Sequence, residues 1–359
     1  MASSDTSSGR TGAAADHGRP YKRIATEEAF ATPELLNLYR KLLAGGSLDD
    51  PGFVSLWGFY LNSPSERARA IIEKLQYVDH RRVRDMDEAG IDVQVMSLTG
   101  PGVQIFDSPT AVAVARSSND QLSEAIAKFP TRFAGLAAIA PQNPQEAAKE
   151  LERGVRKLGL KGAIINSHTH GEYLDDQKFW EIFAAAEALD VPIYLHPQGP
   201  SKGLIGPLLK RGLDGAIFGF GVDTGMHLLS IITSGVFDRF PKLQIMVGHM
   251  GEALPFWMFR LDYMHKATVL SKRYDAMQPL KKKVSDYLKE NVYVTNSGVA
   301  WAPAIMFSQQ VLGVDRVLYA MDYPYQFVAE EVGEMERAQI SDADRKKFYQ
   351  TNAERVFKL

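Results

Sequence analysis

Eight short apolar runs, rich in β-branched residues and spread over most of the chain, constrain its fold more than any other feature. They are Arg23–Thr26, Asp92–Ser97, Phe133–Ala138, Gly162–Asn166, Pro192–His196, Leu243–Gly248, Asn291–Thr295 and Arg316–Ala320. Cores such as PIYL, IMVG and VLYA are apolar at consecutive positions, without alternation. Parallel strands that are covered on both faces have this pattern. The runs therefore predict eight buried parallel strands.

Helical patterns separate these runs, for instance DDQKFWEIFAAAEALD before PIYLHP. Eight strands alternating with helices predict a single (β/α)₈ barrel of the TIM type over residues 21–359. An open doubly wound sheet is the alternative, but neither GxGxxG nor GxxxxGK[ST] occurs in the sequence. Residues 1–20 are polar and small, and are expected to form a flexible N-terminal tail.

One connection is too long and too aromatic for an ordinary turn. Residues 40–75 include GGSLDDPGFVSLWGFYLNSPSER and follow the first predicted strand. In a barrel this places them on the face where the strands end, and long loops there are usually functional. We therefore expect a long loop insertion over the active-site face.

Composition removes several classes of chemistry. The 359 residues include no cysteine, so a metal would have to be bound by His, Asp or Glu. Lys+Arg number 41 and Asp+Glu 43, a net charge of −2, which makes nucleic acid a poor candidate partner. No apolar run is long enough to span a membrane, and the N-terminus has no signal-peptide core. The expected location is the cytoplasm.

Polar groups follow four of the predicted strands. Glu27 comes after the first strand, His196 after the fifth, His249 after the sixth and Asp322 after the eighth. The carboxyl ends of barrel strands converge on one mouth, where catalytic residues are normally found. Because Glu, His and Asp together form a nitrogen and oxygen donor set, they suit Zn²⁺ or Mn²⁺.

Other histidines and two arginines have alternative interpretations. His227 lies on a predicted helix and is either a core histidine or an acid–base residue beside the site. His168 and His170 resemble a metal-binding HxH pair, but lie in a loop without a strand to fix them. Arg67 and Arg260 have aromatic neighbours, so each is either a surface charge or a rigid carboxylate-binding group.

Several motifs of the sequence resemble the amidohydrolase superfamily. They are ATEEAFATPE, VPIYLHP, GVFDRFPKLQIMVGHMGEALPFW, YAMDYPYQ and the closing TNAERVFKL. The resemblance extends from about residue 21 to residue 359 and is to the branch of metal-dependent, non-oxidative decarboxylases. It implies that Glu27, His196 and Asp322 bind one divalent ion, with Mn²⁺ favoured over Zn²⁺, and that no organic cofactor is needed. It also implies that His227 and His249 assist catalysis, with Asp322 as the proton donor.

The resemblance further implies a set of residues that contact the substrate: Tyr60, Arg67, Thr99, Phe220, Arg260 and Tyr325. Two positions depart from the binuclear hydrolases of the superfamily. Ala29 stands where many members have a second His, and the fourth strand ends in Asn166 without a bridging lysine. Both departures favour one metal ion over two.

The expected reaction is decarboxylation of an aromatic acid with a phenol ortho to the carboxylate. Arg67, in the long insertion, favours a ring that carries a second carboxylate. Alternatives are a decarboxylase of another hydroxybenzoate, a metal-dependent amide or lactone hydrolase, and a barrel that binds a ligand without chemistry. A homo-oligomer, dimer or tetramer, is expected because the segment WMFRLDYMH around Arg260 is rich in aromatic residues. Arg260 is expected to act across a subunit boundary.

Overall fold

The computed structural model describes residues 18–46 and 48–359, so most of the predicted N-terminal tail lies outside the described residues. All eight predicted strands are present, and the third is divided in two at Leu136. The strands are β1 (Ile24–Phe30), β2 (Val93–Leu98), β3 (Phe133–Gly135), β4 (Ala137–Ala138), β5 (Ala163–Asn166), β6 (Ile193–His196), β7 (Ile245–Val247), β8 (Val292–Thr295) and β9 (Val317–Leu318).

The strands pair in parallel in chain order and close into a barrel. Strands β1 to β3 form one sheet and β4 to β9 another. Leu136 bridges the division, because its N–H donates to the Met96 carbonyl at 2.9 Å. At the other seam, the Thr26 N–H donates to the Tyr319 carbonyl at 3.1 Å. The expected (β/α)₈ barrel is confirmed.

Helices follow the strands and cover the outside of the barrel. They are α1 (Pro33–Gly45), α2 (Pro51–Asn62), α3 (Glu66–Leu75), α4 (His80–Ala89), α5 (Ser108–Lys128), α6 (Pro144–Leu158), α7 (Trp180–Leu189), α8 (Lys202–Leu209), α9 (Gly219–Thr233), α10 (Val236–Arg239), α11 (His249–Glu252), α12 (Leu254–Ser271), α13 (Val284–Glu290), α14 (Ala302–Leu312), α15 (Ala329–Glu336), α16 (Asp342–Lys346) and α17 (Asn352–Phe357). Short 3₁₀ turns occupy Gln177–Phe179 and Val314–Arg316, and a π turn occupies Lys347–Thr351.

Two apolar cores result from this arrangement. The larger lies between the strands and the helices. The smaller fills the barrel interior with side chains from successive strands, among them Ile24, Val95, Ile164, Tyr194, Met246, Tyr293 and Leu318. The barrel is therefore packed below its mouth and leaves room for a ligand only where the strands end.

The insertion over residues 40–75 differs from the expected loop, because most of it is helical. Asp50 caps α2 by accepting from the Phe53 N–H at 2.8 Å, and Pro51 occupies the first turn. Ser65 caps α3 in the same way. Trp57 is fully buried and donates from Nε1 to the Gly100 carbonyl at 3.0 Å. These caps and this anchor hold the two helices over the barrel mouth.

Helix α12 presents a large apolar surface to solvent. Phe256, Phe259 and Tyr263 are 75%, 85% and 66% exposed. A contiguous exposed aromatic face of this kind is typical of a protein–protein contact. Among the described residues, no helix has the length and apolar character required to cross a membrane.

Candidate active site

A cavity of about 170 Å³ opens at the carboxyl ends of the strands. Eight of the predicted site residues line it: Tyr60, Arg67, Thr99, His196, Phe220, His249, Asp322 and Tyr325. They come from the insertion, from the ends of β2 and β6, from α9, and from the loops after β7 and β9. Positions far apart in the chain thus meet at the barrel mouth, where the strand pattern placed them.

Glu27 lies next to two of these lining residues, His196 and His249, and is almost completely buried, with a side-chain exposure of 3%. Its Oε1 atom is 3.4 Å from His196 Nε2 and 3.7 Å from His249 Nε2. No hydrogen bond from the described residues reaches Oε1. A buried carboxylate oxygen without a hydrogen-bond donor is costly unless a cation satisfies it. The position therefore suits a metal ligand.

The donors around this oxygen have the right chemistry for one divalent ion. His196 offers imidazole nitrogen, and Glu27 and Asp322 offer carboxylate oxygen, a set that binds Mn²⁺ and Zn²⁺. Within residues 18–46 and 48–359, however, no three His, Asp or Glu side chains stand in a ready ligand cluster. His196 and Asp322 line the cavity, and Glu27 lies beside His196.

The charges at the mouth influence one another strongly. Burial alone would raise the pKa of Glu27, but His249 and His196 lower it to about 2. Burial, and then the Glu27 carboxylate, raise the pKa of Asp322 to about 7. Glu252 and Glu27 overcome the effect of burial on His249 and raise its pKa to about 10. A bound cation would oppose the rise at Asp322, because it favours the ionised carboxylate.

A strained turn places His249 at the cavity. All five residues from His249 to Ala253 have positive φ angles, between 52° and 74°, although only Gly251 among them is glycine. The His249 Nδ1 atom is 2.8 Å from Glu252 Oε1, which orients Nε2 toward Glu27. Asp322 also has a positive φ, of 60°. Such strain is often concentrated at functional sites.

Aromatic and polar groups form the wall opposite the strand ends. The rings of Tyr60 and Tyr325 meet edge to face, with centroids 5.5 Å apart. The Tyr325 hydroxyl lies 2.5 Å from Thr99 Oγ1, and burial raises its pKa, so it is a phenol and not a phenolate. Arg67 donates from Nη2 to the Tyr325 carbonyl at 2.7 Å. This wall can hold a ring and an anionic substituent.

His227 is held by hydrogen bonds outside the cavity lining. It lies on α9 as predicted, but it is fully buried and does not line the cavity. Its Nε2 accepts from the Leu174 N–H at 2.9 Å, and Nδ1 lies 3.3 Å from Ser167 Oγ. Burial lowers its pKa to about 3, so the ring is neutral. These contacts tie α9 to the loop after β5.

The two histidines of the HxH pair, His168 and His170, also form hydrogen bonds that connect loops. His168 Nε2 lies 3.0 Å from the Gly199 carbonyl, and His170 Nε2 lies 3.1 Å from the Phe106 carbonyl. Each ring thus links its loop to a neighbouring segment. Arg260 is exposed on α12 and does not line the cavity of its own chain. A contact between Arg260 and a substrate would require a second subunit.

Several residues at the site are absent from the sequence predictions. Leu56, Gln198, Ala216 and Gln326 also line the cavity. Tyr194 lies below it and donates a hydrogen bond to Glu27 Oε2. One signal could have identified Tyr194: it precedes His196 by two residues on a strand, so both side chains project to the same face.

Comparisons with known proteins show what the whole chain is similar to. The amidohydrolase family profile matches residues 66–359. One similar crystal structure is that of 5-carboxyvanillate decarboxylase from Novosphingobium aromaticivorans, in complex with manganese and 4-hydroxy-3-methoxy-5-nitrobenzoic acid. Its sequence is 56% identical to this chain, and the two structures superpose with a TM-score of 0.94. The match covers 97% of this chain and 98% of that one. The enzyme of the same name from Sphingomonas paucimobilis is 39% identical, with a TM-score of 0.88, covering 94% and 99%.

A relative with a different substrate is also similar. Gamma-resorcylate decarboxylase from Polaromonas sp. is 38% identical over 350 residues, which cover 94% of this chain and 98% of that protein. The similarity to each of these decarboxylases extends over nearly the full length of both chains.

Proposed function

The chain belongs to the amidohydrolase family, and we propose that it removes one carboxylate from 5-carboxyvanillate without oxidation, giving vanillate and CO₂. The observation that carries this proposal is the cavity itself. Its lining combines His196 and Asp322 with Arg67 and a tyrosine wall. Glu27 Oε1 lies 3.4 Å from His196 Nε2, and the chain is 56% identical to a 5-carboxyvanillate decarboxylase.

Glu27, His196 and Asp322 would hold one divalent ion, for which we propose Mn²⁺. The unsatisfied Glu27 Oε1 and the nitrogen and oxygen donor set support this choice. Once bound, the ion supplies Lewis acidity, which favours the phenolate form of the substrate and orients its ring. His249, held by Glu252, adds a positive charge beside the same carboxylate.

The chain's own residues position the substrate and move one proton. Arg67 pairs with the second carboxylate, while Tyr60, Tyr325 and Phe220 enclose the ring. Asp322, at the cavity edge, delivers a proton to the ring carbon that bears the departing carboxylate. The bond from that carbon to the carboxylate then breaks, its electron pair restores the aromatic ring, and CO₂ leaves. Solvent returns the proton to Asp322.

We also propose that the protein is a homo-oligomer in which Arg260 serves the site of a neighbouring subunit. The exposed aromatic face of α12, on which Arg260 lies, supports this proposal. Interface cores are enriched in aromatic residues and arginine. A cytoplasmic location is proposed with it, and cell fractionation would test that location.

A substrate panel tests the reaction. The Mn²⁺-loaded protein is incubated with 5-carboxyvanillate, γ-resorcylate, 2,3-dihydroxybenzoate and a set of amides and lactones, and the products are identified by mass spectrometry. We expect vanillate and CO₂ from the first compound. A higher kcat/KM for either simple hydroxybenzoate would overturn the substrate but keep the reaction. Hydrolysis of an amide or lactone without CO₂ release would overturn both.

A further inference from the structure

The two oxygen atoms of Glu27 have opposite environments. Oε1 faces His196 and His249, and no hydrogen bond from the described residues reaches it. Oε2 faces the barrel interior, where two hydroxyl groups contact it: that of Tyr194, and that of Thr295 at 3.1 Å. Among the described residues, the carboxylate therefore has one oxygen that accepts no hydrogen bond and one oxygen that accepts two.

The hydrogen-bond directions around Oε2 can be assigned. Thr295 Oγ1 lies 3.3 Å from the Ser297 N–H and accepts from it, which leaves its own proton free for Glu27. The Tyr194 and Thr295 oxygens are 3.0 Å apart. Each hydroxyl has a single proton, and a carboxylate oxygen is a better acceptor than a neutral hydroxyl. Both protons therefore point to Oε2.

The backbone encloses the same oxygen from another side. A Cβ atom built on Gly248 would lie 2.6 Å from Glu27 Oε2, closer than real Cβ atoms approach an oxygen. Only glycine at this position leaves the carboxylate where it is. Tyr194 is equally constrained, because its ring is 1% exposed and packs in the barrel interior with Met246 and Tyr293. The hydroxyl thus reaches Glu27 from a rigid support.

We infer that Tyr194 and Thr295 are positioning residues that restrict Glu27 to binding the cation through Oε1 alone. This inference rests on the proposed metal site. To bind through both oxygens, Glu27 would have to turn and give up hydrogen bonds that the barrel interior cannot replace with water. Ca²⁺ takes six to eight oxygen ligands and commonly uses bidentate carboxylates, whereas Mn²⁺ suits an octahedral set of six ligands. The pair therefore also disfavours Ca²⁺ at this site.

The test removes the Tyr194 hydroxyl and keeps its ring. Tyr194→Phe and Thr295→Val are compared with wild type for Mn²⁺ affinity, measured from the electron paramagnetic resonance signal of free Mn²⁺, with and without competing Ca²⁺. Partners that orient metal ligands are typically worth about 10-fold to 100-fold in affinity. We expect the Mn²⁺ Kd of Tyr194→Phe to rise at least about tenfold, and its preference for Mn²⁺ over Ca²⁺ to fall.

The matched control is Tyr293→Phe. Tyr293 belongs to the same interior cluster, but its ring lies beside the Arg316 guanidinium, 4.5 Å from the ring centroid. An Mn²⁺ Kd in Tyr194→Phe equal to that of wild type and Tyr293→Phe overturns the inference. If Tyr194→Phe does not fold by circular dichroism, Thr295→Val decides by the same criterion. Failure of wild type to bind Mn²⁺ would instead overturn the proposed metal site on which the inference depends.

Discussion

The floor and the roof of the cavity are built differently. The floor consists of strand residues: Glu27, within β1, and His196, at the end of β6, are 3% and 16% exposed, and Tyr194 donates to Glu27 from below. The roof consists of α2, α3 and neighbouring loops, where Arg67 is exposed and its guanidinium contacts a backbone carbonyl. We propose from this difference that the floor fixes the reaction, while the roof selects among substrates.

The largest effect is expected at the floor. His196→Ala removes a ligand from a buried site and should reduce bound metal from about one ion per chain to a small fraction of that, with kcat/KM lower by at least about a thousandfold. Elemental analysis measures the metal content, and steady-state kinetics measures kcat/KM. His80→Gln, on the exposed start of α4, is the control and should keep its metal. Full metal content in His196→Ala would remove His196 from the ligand set.

The roof should show a smaller and more selective loss. Arg67→Met removes a charge-assisted hydrogen bond worth about 2–3 kcal/mol, so kcat/KM for 5-carboxyvanillate should fall roughly a hundredfold while metal content stays unchanged. The loss should be at least tenfold smaller for a monocarboxylate. Arg69→Met, two residues along α3 and exposed, is the control. Equal losses for both substrates would contradict the division between roof and floor.

Mixing two inactive variants tests whether the roof extends to a second subunit. Asp322→Asn and Arg260→Met are each purified, mixed and allowed to exchange subunits. If Arg260 acts across a dimer boundary, half of the dimers carry one intact site, and activity should return to about a quarter of wild type. Activity no higher than the average of the separate variants would argue that Arg260 has no role in the neighbouring site.

Within the roof, Tyr325 should contribute less than Arg67. Tyr325→Phe keeps the ring but removes the hydroxyl that meets Thr99 at 2.5 Å. A neutral hydrogen bond contributes about 1 kcal/mol, so kcat/KM should fall about fivefold. A loss as large as that of Arg67→Met would mean that the phenol takes part in the chemistry.

The smallest effect on activity is expected at His227, outside both regions. His227→Ala leaves the buried Leu174 N–H without its hydrogen-bond acceptor, so the free energy of unfolding should fall by roughly 2–4 kcal/mol. The kcat/KM of the folded variant should remain within about threefold of wild type. Thermal melting and kinetics on the same sample separate the two effects. A hundredfold loss of kcat with an unchanged melting temperature would instead support the catalytic role that the resemblance implies.

The barrel could be predicted from sequence because its signal is local. Each strand is a short apolar run, and the helices that cover it come from neighbouring crossover connections in the chain. The helices of the insertion over residues 40–75 are harder to predict from sequence, because its aromatic residues obscure the helical period. Its helices are marked instead by the caps Asp50 and Ser65 and by Pro51 in the first turn.

The site could be predicted only in part, because its remaining features depend on the folded geometry. Strand ends identified Glu27, His196, His249 and Asp322 as candidates for one mouth. Tyr194 looked like an ordinary strand residue, since only the closed barrel brings its hydroxyl to Glu27. The burial of His227 could be anticipated from its apolar neighbours, but its hydrogen bonds to Leu174 and Ser167 could not.

The hydrogen bond between Thr295 and Glu27 joins groups 268 residues apart, and the barrel seam at Thr26 and Tyr319 spans 293. Contacts of such separation form late in folding, because a long loop must close first. A cation held at Glu27 would therefore act as a cross-link between the first and last parts of the chain. Its binding energy would oppose global unfolding, and metal uptake during refolding would report the moment at which the barrel closes.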